Sequence, residues 1–371
     1  MSVDSGKTVE ELLDLINAAL PYFEKLKFSY PQKYTDHPIL NRVLSSNAMK
    51  SHSGKSIEWR VVVDDGGEAK STRLYATKEY NKTDKLKKAT APWASITTEW
   101  IMDRREPLMS ADAEQIVDLM KVERATCEAR MANKFEEYCW QTITSEDDEF
   151  GSFRGIPYYI SKGASSGFTG KSTVDRSANT ITSVAGLNAN TYERWANYFD
   201  TYTDFDGYDA IADLEPMFAA MFKAWMSIRF KAPRTAQDLE PLNPLGNYRI
   251  YMDLDTLLAY EFAVRQYNQG QNFGYDVGKF NGMTAFNRTP IEYSPFLDIY
   301  ADADITGEHP IYFVNMNKFG VDVLKGDEFY EHPPLILPES GGNVAAVNVD
   351  LTCQLKCEDR RSQALLCVAS E

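Results

Sequence analysis

Five cysteines, four histidines and two Gly-Lys-Ser triplets are the residues of this sequence whose types could do chemistry. Cys353 and Cys357 are the most closely spaced cysteine pair, and on one loop two thiolates could share a zinc ion or close a disulfide. They fall instead in an alternating run. Val347, Val349, Leu351, Cys353, Leu355 and Cys357 take one face, and Asn348, Asp350, Thr352, Gln354, Lys356 and Glu358 take the other. That period of two is a half-buried strand, in which four residues of rise separate the thiols by ~13 Å, too far for either bond.

The triplets Gly54-Lys55-Ser56 and Gly170-Lys171-Ser172 have the end of a phosphate-binding loop but not its beginning. The glycine that must precede each by five residues is Met49 in one case and Ser165 in the other. Asp302, Asp304 and Gly307 start like a calcium loop, yet Phe313 stands where the bidentate glutamate belongs. His37, His52, His309 and His332 are far apart, and three of them directly precede proline. No nucleophile elbow, dinucleotide fingerprint or kinase set occurs. The expectation is therefore no catalytic residue, no cofactor and no metal.

The chain is 371 residues long, 43 % hydrophobic and 25 % charged, enough to bury a substantial core as one elaborated domain or two. Its formal charge of -15 argues against a general nucleic-acid-binding surface, which needs clustered Lys and Arg. It does not exclude a protein that encloses DNA without gripping it. Five scattered cysteines, an odd number, fit a reducing compartment with free thiols in the core. The amino terminus lacks the pattern of a secretory signal, and no stretch approaches the ~18 apolar residues of a membrane span.

The charge is unevenly distributed. Residues 56 to 80, "SIEWRVVVDDGGEAKSTRLYATKEY", read as two strands joined at Asp65-Gly66-Gly67, and residues 50 to 88 hold ten Lys or Arg against six Asp or Glu, a net of +4. A lone hairpin is marginal in water, so something must cover Ile57, Trp59, Val61, Val63, Leu74 and Tyr75. Helical spacing with Ser110 as cap predicts a long helix over residues 111 to 142. The stretch from 110 to 149 holds eleven acidic residues against four basic, a net of -7.

Before these lies an amphipathic stretch, residues 8 to 27, with Leu12, Leu13, Ile16, Ala19 and Leu20 on one face. After them, residues 145 to 185 read as loop or boundary. An amphipathic helix near 213 to 230 carries the stripe Leu214, Met217, Phe218, Met221, Trp225 and Ile228, and residues 248 to 266 read as a strand entering a helix. "PIYFVNMNKFGVDVLKGDEFYEH" gives two pieces of sheet.

This order of arm, basic hairpin, long acidic helix, mixed region and strand-rich return, ending in "CQLKCEDRRSQALL", resembles the major capsid protein of tailed bacteriophages. The likeness spans about residues 37 to 368 and is one of layout, without a diagnostic motif. It implies an α+β fold of the Hong Kong 97 type. Its parts would be an N-terminal arm over 1–49, an extended hairpin loop over 50–95 and a peripheral domain over 96–180 with a spine helix at 111–142. An axial domain would span 181–325, and 326–371 would supply the return strands and a C-terminal segment to the axial domain.

The resemblance further implies a subunit that assembles with itself into hexamers and pentamers of an icosahedral shell around double-stranded DNA. Such a subunit would assemble in the host cytoplasm and reside in the virion. A separate scaffold protein, a portal and a decoration protein would be its partners, and no membrane is involved. The extended loop would lie across a neighbour, with Trp59, Arg60, Lys70, Arg73, Leu74, Tyr75 and Lys78 facing Asp118, Glu123, Glu136 and Glu137 of that neighbour. Two alternatives stand: an encapsulin-like compartment of the same fold, marked by an internal pocket for a cargo peptide, and a cytoplasmic enzyme, marked by a deep pocket with perturbed titratable groups.

Overall fold

A computed structural model describes residues 37–45, 49–64, 71, 73–74, 85–103, 113–141, 143, 153–174, 180–205, 211–240, 243–270, 279–280, 282–300, 309–333, 335–336 and 344–369. The stretch 8 to 27, the Asp65-Gly66-Gly67 turn and the Asp302, Asp304 and Gly307 cluster lie outside these.

In chain order the helices are α1 (Pro38–Ser45), α2 (Ala113–Cys139), α3 (Ile156–Tyr159), α4 (Ile211–Ser227), α5 (Leu254–Gly270) and α6 (Pro295–Tyr300). The first strands are β1 (Met49–His52), β2 (Ser56–Val62), β3 (Leu86–Pro92), β4 (Ala94–Asp103), β5 (Gly167–Gly170), β6 (Thr173–Val174), β7 (Thr180–Ile181), β8 (Ser183–Val184), β9 (Leu187–Asn188) and β10 (Asn197–Tyr202). Then follow β11 (Tyr248–Met252), β12 (Lys279–Phe280), β13 (Met283–Phe286), β14 (Thr289–Tyr293), β15 (Ile311–Asn315), β16 (Phe319–Leu324), β17 (Tyr330–Glu331), β18 (Leu335–Ile336), β19 (Val344–Cys357) and β20 (Ala364–Val368).

Two mixed sheets organise the chain. The first is built on β19, the alternating run of the sequence. β4 pairs along one edge from Val344 to Cys353, which leaves the other edge to β16, β17 and β18 in succession, with β1 outside β16. Residues Val347, Leu351, Cys353, Leu355 and Cys357 are buried as the alternation requires. The polar face departs from expectation, since Gln354 and Lys356 are buried too. Lys356 Nζ donates to both carboxylate oxygens of Asp322 at 2.6 and 2.7 Å, and Gln354 accepts from Arg154 N at 2.8 Å while donating to Pro92 O at 3.0 Å. Packing covers both faces at this end of the strand.

The second sheet has the order β12-β13-β14-β11-β15-β20-β10-β5. Because side chains alternate across it, one face (Ile250, Met252, Ile311, Phe313, Ala364, Leu366) packs on α4 and α5 in one apolar cluster. The other face (Tyr251, Tyr312, Leu365, Cys367) joins the larger core, where Trp140 meets the rings of Tyr251 and Tyr312 at 5.4 and 5.5 Å. The α4 stripe is as read, with Leu214, Met217, Met221 and Ile228 buried and Phe218 and Trp225 packed beside them. The strand into helix at 248 to 266 is β11 and α5.

The chain passes between the sheets at Met316–Lys318 and at Arg360–Ser362. The first crossing precedes the boundary expected at residue 325, because β16 already belongs to the β19 sheet. At the second, Arg360 is fully buried and donates to Tyr159 O, Trp195 O, Ser161 Oγ, Gly170 O and Asn197 Oδ1 at 2.6 to 3.2 Å. Burial pulls its pKa down to about 10. Gln363 ties the two crossings together by accepting from Asn315 N at 2.7 Å.

The segment read as loop, 145 to 185, is partly structural: α3 is wholly buried, and Tyr159 donates to Leu355 O at 2.8 Å. Its apolar run Ile156–Ile160 is too short to show helical period, which is why the sequence did not reveal it.

Candidate functional site

The basic hairpin and the acidic helix are the features of the sequence that chemistry does not explain. The helix runs from Ala113 to Cys139 and buries Cys127, Met131, Phe135 and Cys139. Among the described charges on its remaining surface, Glu123 is half-buried and Glu137 is engaged at home, receiving Lys134 Nζ at 2.7 Å and Gln141 Nε2 at 2.8 Å. The side chain of Asp118 lies outside the described set.

The hairpin differs from its expected register. β2 pairs with β3, matching Ser56 to Pro92 and Val62 to Leu86, so the return strand is residues 86–92 rather than the stretch after Gly67. The reason is burial. Trp59 faces Ala89 and Ile57 faces Ala91, and these join Val61 and Val63 in the core of the same chain. The stretch expected to form the return strand contains Leu74, which is 85 % exposed.

Two predicted contact residues are thereby corrected. Trp59 is 8 % exposed and donates its indole N–H to Cys357 O at 2.9 Å, anchoring the hairpin root on β19. Glu136 is fully buried, and its carboxylate accepts from Ile39 N at 3.2 Å and Leu40 N at 3.0 Å in the first turn of α1. The first amides of a helix lack intrahelical partners, so this carboxylate completes α1. Burial still pushes its pKa up to about 7. Neither side chain is available to a neighbour. Arg60 and Arg73 are exposed, while Lys70, Tyr75 and Lys78 lie outside the described residues.

The residues of possible chemistry are occupied structurally. All five cysteines are free and buried. Ser56 of one Gly-Lys-Ser triplet opens β2, and Gly170 of the other ends β5, so neither leads into a helix. His37 Nε2 meets Asn133 Oδ1, and His332 Nε2 meets Asp350 Oδ2 at 2.7 Å. His309 Nδ1 meets Asp253 Oδ2 at 2.9 Å, a hydrogen bond that raises the histidine pKa. Asp253, Asp255 and His309 bring their ligand atoms within 4.8 Å of one another, a grouping the sequence did not suggest. Asp253 also accepts from Thr256 N at 3.2 Å, so it caps α5.

A cavity of about 280 Å³ opens beside α2, lined by Met49, Cys127, Met131, Phe135, Leu351 and Phe329. The sequence held no signal for it, because its walls come from segments up to three hundred residues apart.

No protein-family model and no curated protein matches the sequence. Solved structures do match along nearly the whole chain. A capsid subunit of cyanophage A-1(L) superposes with a TM-score of 0.57 at 13 % identity, over 92 % of this chain and 95 % of the other. The capsid of a native GTA particle gives 0.50 at 13 % identity, over 99 % and 96 %. The fold is the Hong Kong 97-type capsid fold expected from the order of elements.

Proposed function

We propose that this chain is the major subunit of a closed phage shell, a structural protein without catalysis that assembles into hexamers and pentamers around double-stranded DNA in the virion. The observation that carries the reading is the likeness of the whole chain to capsid subunits, over more than nine-tenths of both partners in each comparison. Two features of this chain agree with it. The net charge of -15 keeps a packaged genome from adhering, and the hairpin root is anchored in the chain's own core while Arg73 and Leu74 of its basic segment are exposed.

In this reading α2 is the spine helix, the β19 sheet is the peripheral domain, and the sheet centred on β15 and β20 is the axial domain. Residues 1–49 act as the arm. The intersubunit contact uses Arg60, Lys70, Arg73, Leu74, Tyr75 and Lys78 against Asp118, Glu123 and Glu137, with Trp59 and Glu136 removed. Scaffold, portal and decoration proteins act as partners.

Negative-stain electron microscopy of the purified protein, alone and with its scaffold, tests this together with sedimentation. Closed shells or capsomer rings are expected. A compact monomer under every condition would overturn the reading, and shells enclosing protein cargo in place of DNA would identify a compartment.

A further inference from the structure

Aspartates and one histidine gather at one end of the second sheet. Its strands β10, β11, β14 and β20 run in one direction, and β15 runs against them. The carboxyl ends of these parallel strands therefore share an edge with the start of β15, the position at which open α/β sheets hold ligands. Asp204 follows β10, Asp253 and Asp255 follow β11, Asp298 lies in α6 after β14, and His309 precedes β15. Oxygens of Asp253 and Asp255 and a ring nitrogen of His309 lie within 4.8 Å of one another. Ligand atoms bonded to one zinc ion at roughly 2.0 to 2.2 Å stand about 3 to 4.4 Å apart, so a small closure brings the three groups onto one ion.

Their surroundings aim these groups. Asp253 divides its carboxylate, Oδ1 accepting from Thr256 N at 3.2 Å to cap α5 and Oδ2 meeting His309 Nδ1 at 2.9 Å. The ring of Phe205 lies 4.7 Å from the imidazole, and the Tyr202 hydroxyl donates to His309 O, which holds both the ring and its backbone. Asp255 is exposed, so the group opens to solvent, and Asp253, Asp204 and Asp255 all place negative charge on the imidazole. The positive end of α5 does not cancel that charge. Its first amides are already taken, Leu254 N by Asp298 Oδ1 at 3.0 Å and Thr256 N by Asp253.

A separate observation points to a ligand. Thr256 is fully buried, yet its hydroxyl has no hydrogen-bond partner. Side chains of a helix tilt toward its amino terminus, and Thr256 stands in the first turn of α5 with its amide on Asp253, so the hydroxyl turns back toward the carboxylates. A buried hydroxyl left without a partner is costly, and its oxygen has lone pairs to give.

We propose that Asp253, Asp255 and His309 bind one divalent cation, zinc in preference to the hard ions, with the Thr256 hydroxyl beside it. Two carboxylates and an imidazole suit zinc, whereas calcium and magnesium take oxygen ligands. The ion replaces the hydrogen bond between Asp253 Oδ2 and His309 Nδ1 and ties the end of β11 and the start of α5 to the start of β15. The proposal goes beyond the shell reading and does not depend on it.

Isothermal titration of the EDTA-treated full chain with zinc chloride tests it. One zinc ion per chain is expected, together with a raised unfolding temperature, and calcium chloride is expected to give neither. Asp255→Asn and His309→Gln are each expected to weaken zinc binding at least tenfold. Asp255 is exposed, so its variant keeps the fold, which an unchanged urea midpoint without metal verifies. No binding by wild type, equal binding by wild type and both variants, or calcium bound as tightly as zinc would overturn the proposal. Each of these outcomes leaves the shell reading intact.

Discussion

Glu136→Gln isolates one buried ionisable group whose energetics follow from its surroundings. The carboxylate is fully buried between α1 and α2 and receives two backbone amides, yet burial outweighs those hydrogen bonds and the pKa stands at about 7 against 4.5. Glu292 adds like charge. The pair Arg249 and Arg42 binds Glu292, at 2.8 and 3.0 Å. Between pH 4.5 and 7 the folded protein holds this proton and the unfolded chain does not, so the stability it supplies is fully present below 4.5 and is lost as pH rises through 7. At about 1.4 kcal/mol for each pKa unit, the whole effect is about 3 kcal/mol. About 1 kcal/mol of it is lost between about pH 6 and about pH 8.5.

Urea unfolding of the purified chain, wild type beside Glu136→Gln at both pH values, reads this directly. Glutamine does not titrate, so the stability difference should move by about 1 kcal/mol in favour of the variant at the higher pH. Taking the difference removes other titrations, including that of His309, whose raised pKa gives wild type and variant alike a loss in the same direction. A difference that stays constant across the range would refute the assignment of a protonated carboxyl at the α1 and α2 junction.

Arg360→Lys removes the planar fork that reaches five acceptors; an ammonium satisfies at most three, and the stranded acceptors should cost roughly 2 to 5 kcal/mol by the urea midpoint. Lys356→Met removes the ammonium that donates to both oxygens of the Asp322 carboxylate, 2 % exposed, with His52 Nε2 at 3.6 Å left beside it, and should cost roughly 3 to 5 kcal/mol, most of it recovered by adding Asp322→Leu. Trp59→Phe keeps the ring but loses the hydrogen bond to Cys357 O. The expected cost is about 1 to 2 kcal/mol, with faster proteolysis of the hairpin. All five cysteines should resist Ellman's reagent in the native protein and react in urea, since all are buried and burial raises the thiol pKa at Cys127, Cys139, Cys353 and Cys357. Rapid native labelling of any of the five would contradict that packing.

Much of this protein is written in local periodicity. The 3.6-residue stripe placed α2 and α4, and the period of two placed β19 and dismissed the Cys353 and Cys357 pair, because each pattern states which side of an element must leave water. Counting charges along the chain found the basic hairpin and the acidic helix, since net charge needs no folding to be summed. What these patterns lack is the identity of the covering surface. Leu74 in the later stretch is as apolar as Ile57 in the earlier one, yet Leu74 is 85 % exposed, while Trp59 finds Cys357 across 298 positions of chain. Lys356 and Gln354 read as solvent-facing until Asp322, Arg154 and Pro92 close over them. Glu136 read as surface charge until α1 placed two amides against it. The cavity beside α2 exists only where α2, β1, β19 and the turn at Phe329 come together. Periodicity determines which faces are buried; only the tertiary contacts, made between residues far apart in sequence, decide what lies opposite each face and which charges stay exposed.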